Sequence, residues 1–234
     1  MWRSGAIALL AASAGITGLL QARDPQPRAL DMVPVAMEGG TLNVSRFEVT
    51  IAEWNDCVSA GACEDIAPRH AAAARTPMTG VNWFDAEAYV RWASTAHRRQ
   101  FRLPTAEEWR AFSGLAEPVA KKPLFDDPRL AWAAQYGQED SPGGPVRPQG
   151  SGKPTQHGLQ DVEGNVWEWT SSCVQPGLAG AGDDNRCPAM KAMGAHTAII
   201  PVFVRDTAAG GCSSGKPPAH LGFRIVEEVA GPVS

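Results

Sequence analysis

Apolar and polar residues alternate from Leu42 to Thr50, and this alternation predicts the first strand. A helix is expected over Ile51 to Ala60. Thr50 stands at its N-cap, Glu53 follows three residues later, and Gly61 closes it. Asp65 to Arg75 reads as a loop. Asn82 caps a second expected helix, Trp83 to Ala96, in which Phe84, Ala88, Tyr89 and Trp92 recur at helical spacing and form one apolar stripe. Phe101 to Leu103 reads as a short strand. Thr105, with Glu108 three residues on, opens a third helix, Ala106 to Gly114. Periodicity then stops from Leu115 to Pro154, where Pro118, Pro123, Pro128, Pro142, Pro145 and Pro148 interrupt any long element. Alternation returns at Val166, Trp167, Glu168 and Trp169, which puts both indoles on one face of an extended segment and the carboxylate on the other. Thr197 to Val204 reads as a buried strand, and His220 to Val229 as the last one. Short helices among many irregular segments give an α+β class in a single, loop-rich domain.

Composition narrows the function. The 234 residues carry a formal charge of -4 and have no basic excess, so a nucleic-acid partner is not expected. Arg3 is the only charge before Arg23, and residues 5–20 between them are small and apolar. Residues 1–22 are therefore expected to be a signal peptide, 23–36 a linker, 37–229 the folded domain and 230–234 a tail. The expected location is exported, periplasmic or secreted. Contact with a membrane is expected only if the N-terminal segment stays uncleaved as an anchor. Five cysteines fit an oxidising compartment. The expected bridges are Cys57–Cys63 and Cys173–Cys187, with Cys212 left as a thiol. Metal ligation is the weaker alternative, because no histidine stands at ligand spacing beside either pair.

The segment Gly158 to Thr170 holds the most chemistry. Its tryptophans predict a core anchor. Asp161, Glu168 and the carbonyls between them can converge on a hard cation such as Ca²⁺. The competing reading is a Trp-rich core turn whose acids face water.

The same segment, Gly158-Leu-Gln-Asp161-Val-Glu-Gly164-Asn-Val-Trp167-Glu168-Trp169-Thr170, resembles the signature of the formylglycine-generating enzyme, or sulfatase-modifying factor, family. Three further segments resemble that family in the same order. They are Phe47-Glu48-Val49-Thr50 with its continuation to Trp54, Pro77 to Trp109 with Phe101-Arg102-Leu103-Pro104-Thr105 inside it, and Leu221-Gly222-Phe223-Arg224-Ile225-Val226. The resemblance implies a C-type-lectin-like fold. It also implies a structural Ca²⁺ held by the side chains of Asp161 and Glu168 and the carbonyls of Gly164 and Val166.

One departure changes the expected activity. Enzymes of this family that oxidise a sulfatase cysteine are similar in having two copper-binding cysteines after a Gly-Gly-Ser-aromatic segment. Here that segment corresponds to Gly194-Ala195-His196-Thr197, and residues 198–205 contain no cysteine. No copper site of that kind is expected. Cys212, His196 and Arg205 remain the catalytic candidates: a thiol among glycines, an imidazole beside the expected cleft, and a guanidinium suited to carboxylates. Two functions follow. One is an exported accessory module that binds a peptide or partner protein. The alternative is an oxidoreductase of the same family with altered metal or thiol chemistry, acting on a peptide or siderophore-type substrate.

Overall fold

The computed structural model describes residues 27–67, 73–115, 145–174, 187–207 and 218–228. Residues 1–22, the expected signal peptide, and Cys212 lie outside the described residues, as does the tail 230–234. No helix among the described residues is long and apolar enough to cross a membrane.

The first strand, β1 (Met32–Met37), starts within the stretch expected to be a linker, residues 23–36. Its Val33 and Val35 face the core while Pro34 between them is exposed. Pro34 is tolerated because β1 is an edge strand, where a missing N–H breaks no inner ladder. β1 pairs antiparallel with β2 (Gly40–Ser45). Three helices follow as expected: α1 (Ile51–Ser59), α2 (Trp83–His97) and α3 (Ala106–Ser113), with the two-residue strand β3 (Phe101–Arg102) before the last. Thr50, Asn82 and Thr105 each form a complete capping box with the acid three residues on. Each box satisfies N–H groups that a helix start otherwise leaves without a partner. Thr105→Ala is therefore expected to cost about 1 kcal/mol in urea unfolding. An unchanged midpoint would mean that the Ser172 hydroxyl, which accepts from the Ala106 N–H at 2.9 Å, secures the helix start by itself.

The remaining strands are β4 (Trp167–Cys173), β5 (Ala189–Met193), β6 (Ala198–Pro201), β7 (Leu221–Gly222) and β8 (Val226–Glu228). They complete two four-stranded sheets, ordered β1-β2-β8-β3 and β6-β5-β4-β7. The expected terminal strand, His220 to Val229, is thus two strands in two sheets. β7 runs parallel to β4, whereas β8 pairs antiparallel with β2 and β3. Between them the chain bonds to the end of β2 and the residues after it: Ser45 N–H donates to Ile225 O and Val49 N–H to Phe223 O, each at 2.9 Å. Side chains along this crossing alternate between two cores. Phe223 and Ile225 enter the core that holds Trp54, Tyr89, Trp167 and Trp169. Val226 enters a second core with Trp109, Phe112 and Leu159.

Both expected disulfides form. Cys57–Cys63 and Cys173–Cys187 have Cα–Cα distances of 5.3 and 5.8 Å.

Candidate functional site

β4 carries the tryptophan motif between the two cores. Trp167 and Trp169 lie on one face, as the alternation predicts, and are fully buried. Trp169 Nε1 donates to Val81 O at 2.9 Å, and Trp167 Nε1 to His196 O at 3.1 Å. Gly194 gives the indole room, because a Cβ at that position would stand 3.0 Å from the Trp167 ring. Glu168 points to the other core and has 0% exposure, so the reading in which this acid faces water does not hold.

Glu168 instead meets Arg224, which is also 0% exposed. The guanidinium grips it in a fork, Nε to Oε2 at 2.6 Å and Nη2 to Oε1 at 2.7 Å. Trp109 Nε1 on α3 adds a third donor at 2.7 Å. The rest of the guanidinium donates to the carbonyls of Ser45 and Arg46 at the end of β2 and of Gln160 in the loop before β4. One arginine therefore joins both sheets and a loop. Burial alone pulls its pKa down, but the Glu168 charge and the hydrogen bonds to it outweigh this and hold the guanidinium above its ordinary value.

Asp161 has a left-handed backbone, φ 63°, and is also buried. Its carboxylate accepts from the backbone N–H groups of Gly150 at 2.5 Å and Gly152 at 2.6 Å. The calcium expectation for Asp161, Gly164, Val166 and Glu168 meets this geometry badly. A cation would have to take Glu168 from a full positive charge and an indole N–H, and Asp161 from two backbone donors. The carboxylates are satisfied by protein donors and, as folded, do not fit a calcium cage. Among the described residues, no group of three or more His, Cys, Asp or Glu forms a metal site.

Of the catalytic candidates, Arg205 and His196 lie among the described residues. Arg205 does not present a free guanidinium. It forks onto both oxygens of Asp85, at 2.8 and 2.9 Å, and reaches Glu64 as well. The hydrogen bonds that it donates to these two carboxylates, Asp85 first, hold its pKa above the ordinary value. His196 packs edge-on against Trp167, with ring centroids 5.1 Å apart. The two candidates therefore serve different structural partners.

A surface feature lies beside Arg205. Trp83 N–H, at the start of α2, donates to Val202 O at 3.1 Å. Phe84 and Phe203 flank this bond and are 54% and 70% exposed, the large hydrophobic side chains left in water among the described residues. The Trp83 and Phe84 rings stand edge to face at 5.6 Å.

Arg224, Trp109 and Glu48 received no role from sequence reasoning. For two of them a signal was present. Arg224 lies between Phe223 and Ile225, and Glu48 between Phe47 and Val49. A charged residue embedded in an apolar motif marks a buried polar group.

A profile of the sulfatase-modifying factor enzyme 1-like domain matches residues 31–229. The inactive C-alpha-formylglycine-generating enzyme 2 of Mus musculus is 36% identical over 123 residues, which cover 47% of this chain and 35% of that protein. The formylglycine-generating enzyme of Mycobacterium tuberculosis is 30% identical over 228 residues, covering 78% of this chain and 67% of that one. Among solved structures, CarF superposes with a TM-score of 0.51 at 19% identity, over 86% of this chain and 99% of that one. The chain spans about a third of the length of the mouse relative.

Proposed function

The chain belongs to the formylglycine-generating enzyme family, and within it we propose a non-catalytic accessory module that binds a peptide or partner protein. The observation that carries this reading is the loss of thiols where the family's oxidation chemistry needs them. Residues 198–205 contain no cysteine, and Ala198, Ile200, Val202 and Val204 are buried core residues. A soft Cu(I) ion has no thiolates to bind there. Arg205, which follows them, is neutralised by Asp85 and Glu64. What the chain does offer beside Arg205 is two exposed aromatic side chains, Phe84 and Phe203. Exposed aromatic side chains of this kind anchor protein partners. Export is part of the proposal, since disulfides such as Cys57–Cys63 and Cys173–Cys187 persist in oxidising compartments.

Two assays test this. Incubated with Cu(I), oxygen and a cysteine peptide of the sulfatase type, the protein is expected to produce no formylglycine detectable by mass spectrometry. Turnover would overturn the proposal. In the second assay, linear peptides are selected on the wild-type protein and their affinities measured. Phe84→Ala/Phe203→Ala is expected to weaken them at least tenfold while leaving the melting temperature nearly unchanged, because both rings are exposed. Equal binding by the double variant would remove this face from the proposal.

A further inference from the structure

The loop before β4 grips a second stretch of chain, residues 147–152, by its main chain. One oxygen of the buried Asp161 accepts from Gly150 N–H and the other from Gly152 N–H. Gly152 permits the approach, because a Cβ there would stand 2.9 Å from Asp161 Oδ1. Further along the loop, the buried Asn165 pairs with Arg147 much as one strand residue pairs with another. Its Oδ1 accepts from Arg147 N–H at 2.9 Å and its Nδ2 donates to Arg147 O at 3.0 Å. Between these two anchors, Gln149 N–H donates to Arg75 O at 2.8 Å. Residues 147–152 are thus held on one side by the loop and on the other by the chain before α2.

We propose that this stretch and Arg224 take the place of the cation that the family resemblance implies, so that the loop before β4 is a calcium-independent clamp. Both oxygens of Asp161 and both of Glu168 already accept from protein donors, namely Gly150, Gly152, Trp109 and Arg224. A bound Ca²⁺ draws on six to eight oxygens, and here it would face the positive ends of those N–H groups at the two carboxylates offered to it. The same positive ends do the work of the ion. Two main-chain N–H groups satisfy Asp161, and a guanidinium neutralises Glu168. What a cation does by gathering oxygens, joining the loop to the rest of the domain, is done here by Asn165, Asp161 and Arg224. The order of the loop is therefore set by the chain and does not follow the free calcium concentration.

The test measures the melting temperature of the full chain in excess calcium and in excess chelator, and the calcium retained after gel filtration by elemental mass spectrometry. Equal melting temperatures and no retained calcium are expected. A cation filling the loop would raise the melting temperature by roughly 5–10 °C at a hundredfold excess over its Kd. Such a rise, or about one calcium retained per chain, would overturn the proposal. Asp161→Asn tests the clamp itself. Asparagine suits the left-handed backbone at this position, φ 63°, so the change adds no strain, but its amide nitrogen cannot accept the second N–H. The variant is expected to melt several degrees lower, by the same amount in calcium and in chelator. An unchanged melting temperature, or a loss seen in calcium alone, would overturn the proposal. Neither measurement involves a partner, so either can fail while the proposed accessory function stands.

Discussion

Arg224→Met is expected to destabilise the fold by about 3–5 kcal/mol, the loss typical of removing one partner from a buried ion pair. Methionine keeps most of the side-chain volume, so the effect isolates the charge and its hydrogen bonds. Glu168 would be left buried at 0% exposure with Trp109 Nε1 as its remaining donor. The carbonyls of Ser45, Arg46 and Gln160 would each lose a donor as well. Two sheets and a loop meet at this side chain, so loss is expected in one cooperative transition. Urea unfolding checks the magnitude. The double variant Arg224→Met/Glu168→Met removes both charges and is expected to recover part of the loss, because the uncompensated carboxylate is then gone. A single variant that costs under about 1 kcal/mol, or a double variant less stable than the sum of the two single changes, would show that this pair does not hold the junction.

Trp169→Ala is expected to cost about 3–5 kcal/mol by opening a cavity in the larger core. The indole is fully buried, and its Nε1 donates to Val81 O, so the substitution also leaves a buried carbonyl without its donor. For a domain of this size the melting temperature should fall by roughly 10 °C. Trp169→Phe separates the two contributions. It keeps much of the aromatic volume and loses the hydrogen bond, so an intermediate loss is expected. If the alanine and phenylalanine variants melted together, the hydrogen bond rather than packing would be the dominant contribution. If neither differed from the wild type, the tryptophan motif would not be the core anchor described here.

These two residues show where local pattern reaches and where it stops. Thr50, Asn82 and Thr105 were legible as helix starts, because a capping box is closed by residues three apart and needs nothing from the rest of the chain. The placement of Trp167 and Trp169 on one face followed from strand alternation, and the disulfide pairs followed from short separations in sequence. β5 went unread, because Ala189-Met-Lys-Ala-Met193 has little β propensity of its own. It is a strand because β4 and β6 pair with it on either side. The seam at Gly222 and Arg224 went unread for a related reason. Arg224 marks a buried polar group, but a mostly apolar stretch such as Leu221 to Val226 gives no sign that its two ends bond to different sheets.

Residue identity and spacing within a few positions were enough for the family, the α+β class, the helix starts and the absence of a cysteine pair after Gly194. Tertiary structure alone decided what the buried charges do. Glu168 has the chemistry of a calcium ligand and that of an ion-pair partner alike. The choice rests on Arg224, 56 residues away, arriving within 2.6 Å with both side chains fully buried. Arg205 is likewise assigned to Asp85 by a contact across 120 residues. A charge in the interior is defined by which opposite charge the fold brings to it, because burial makes being unpaired too costly to persist.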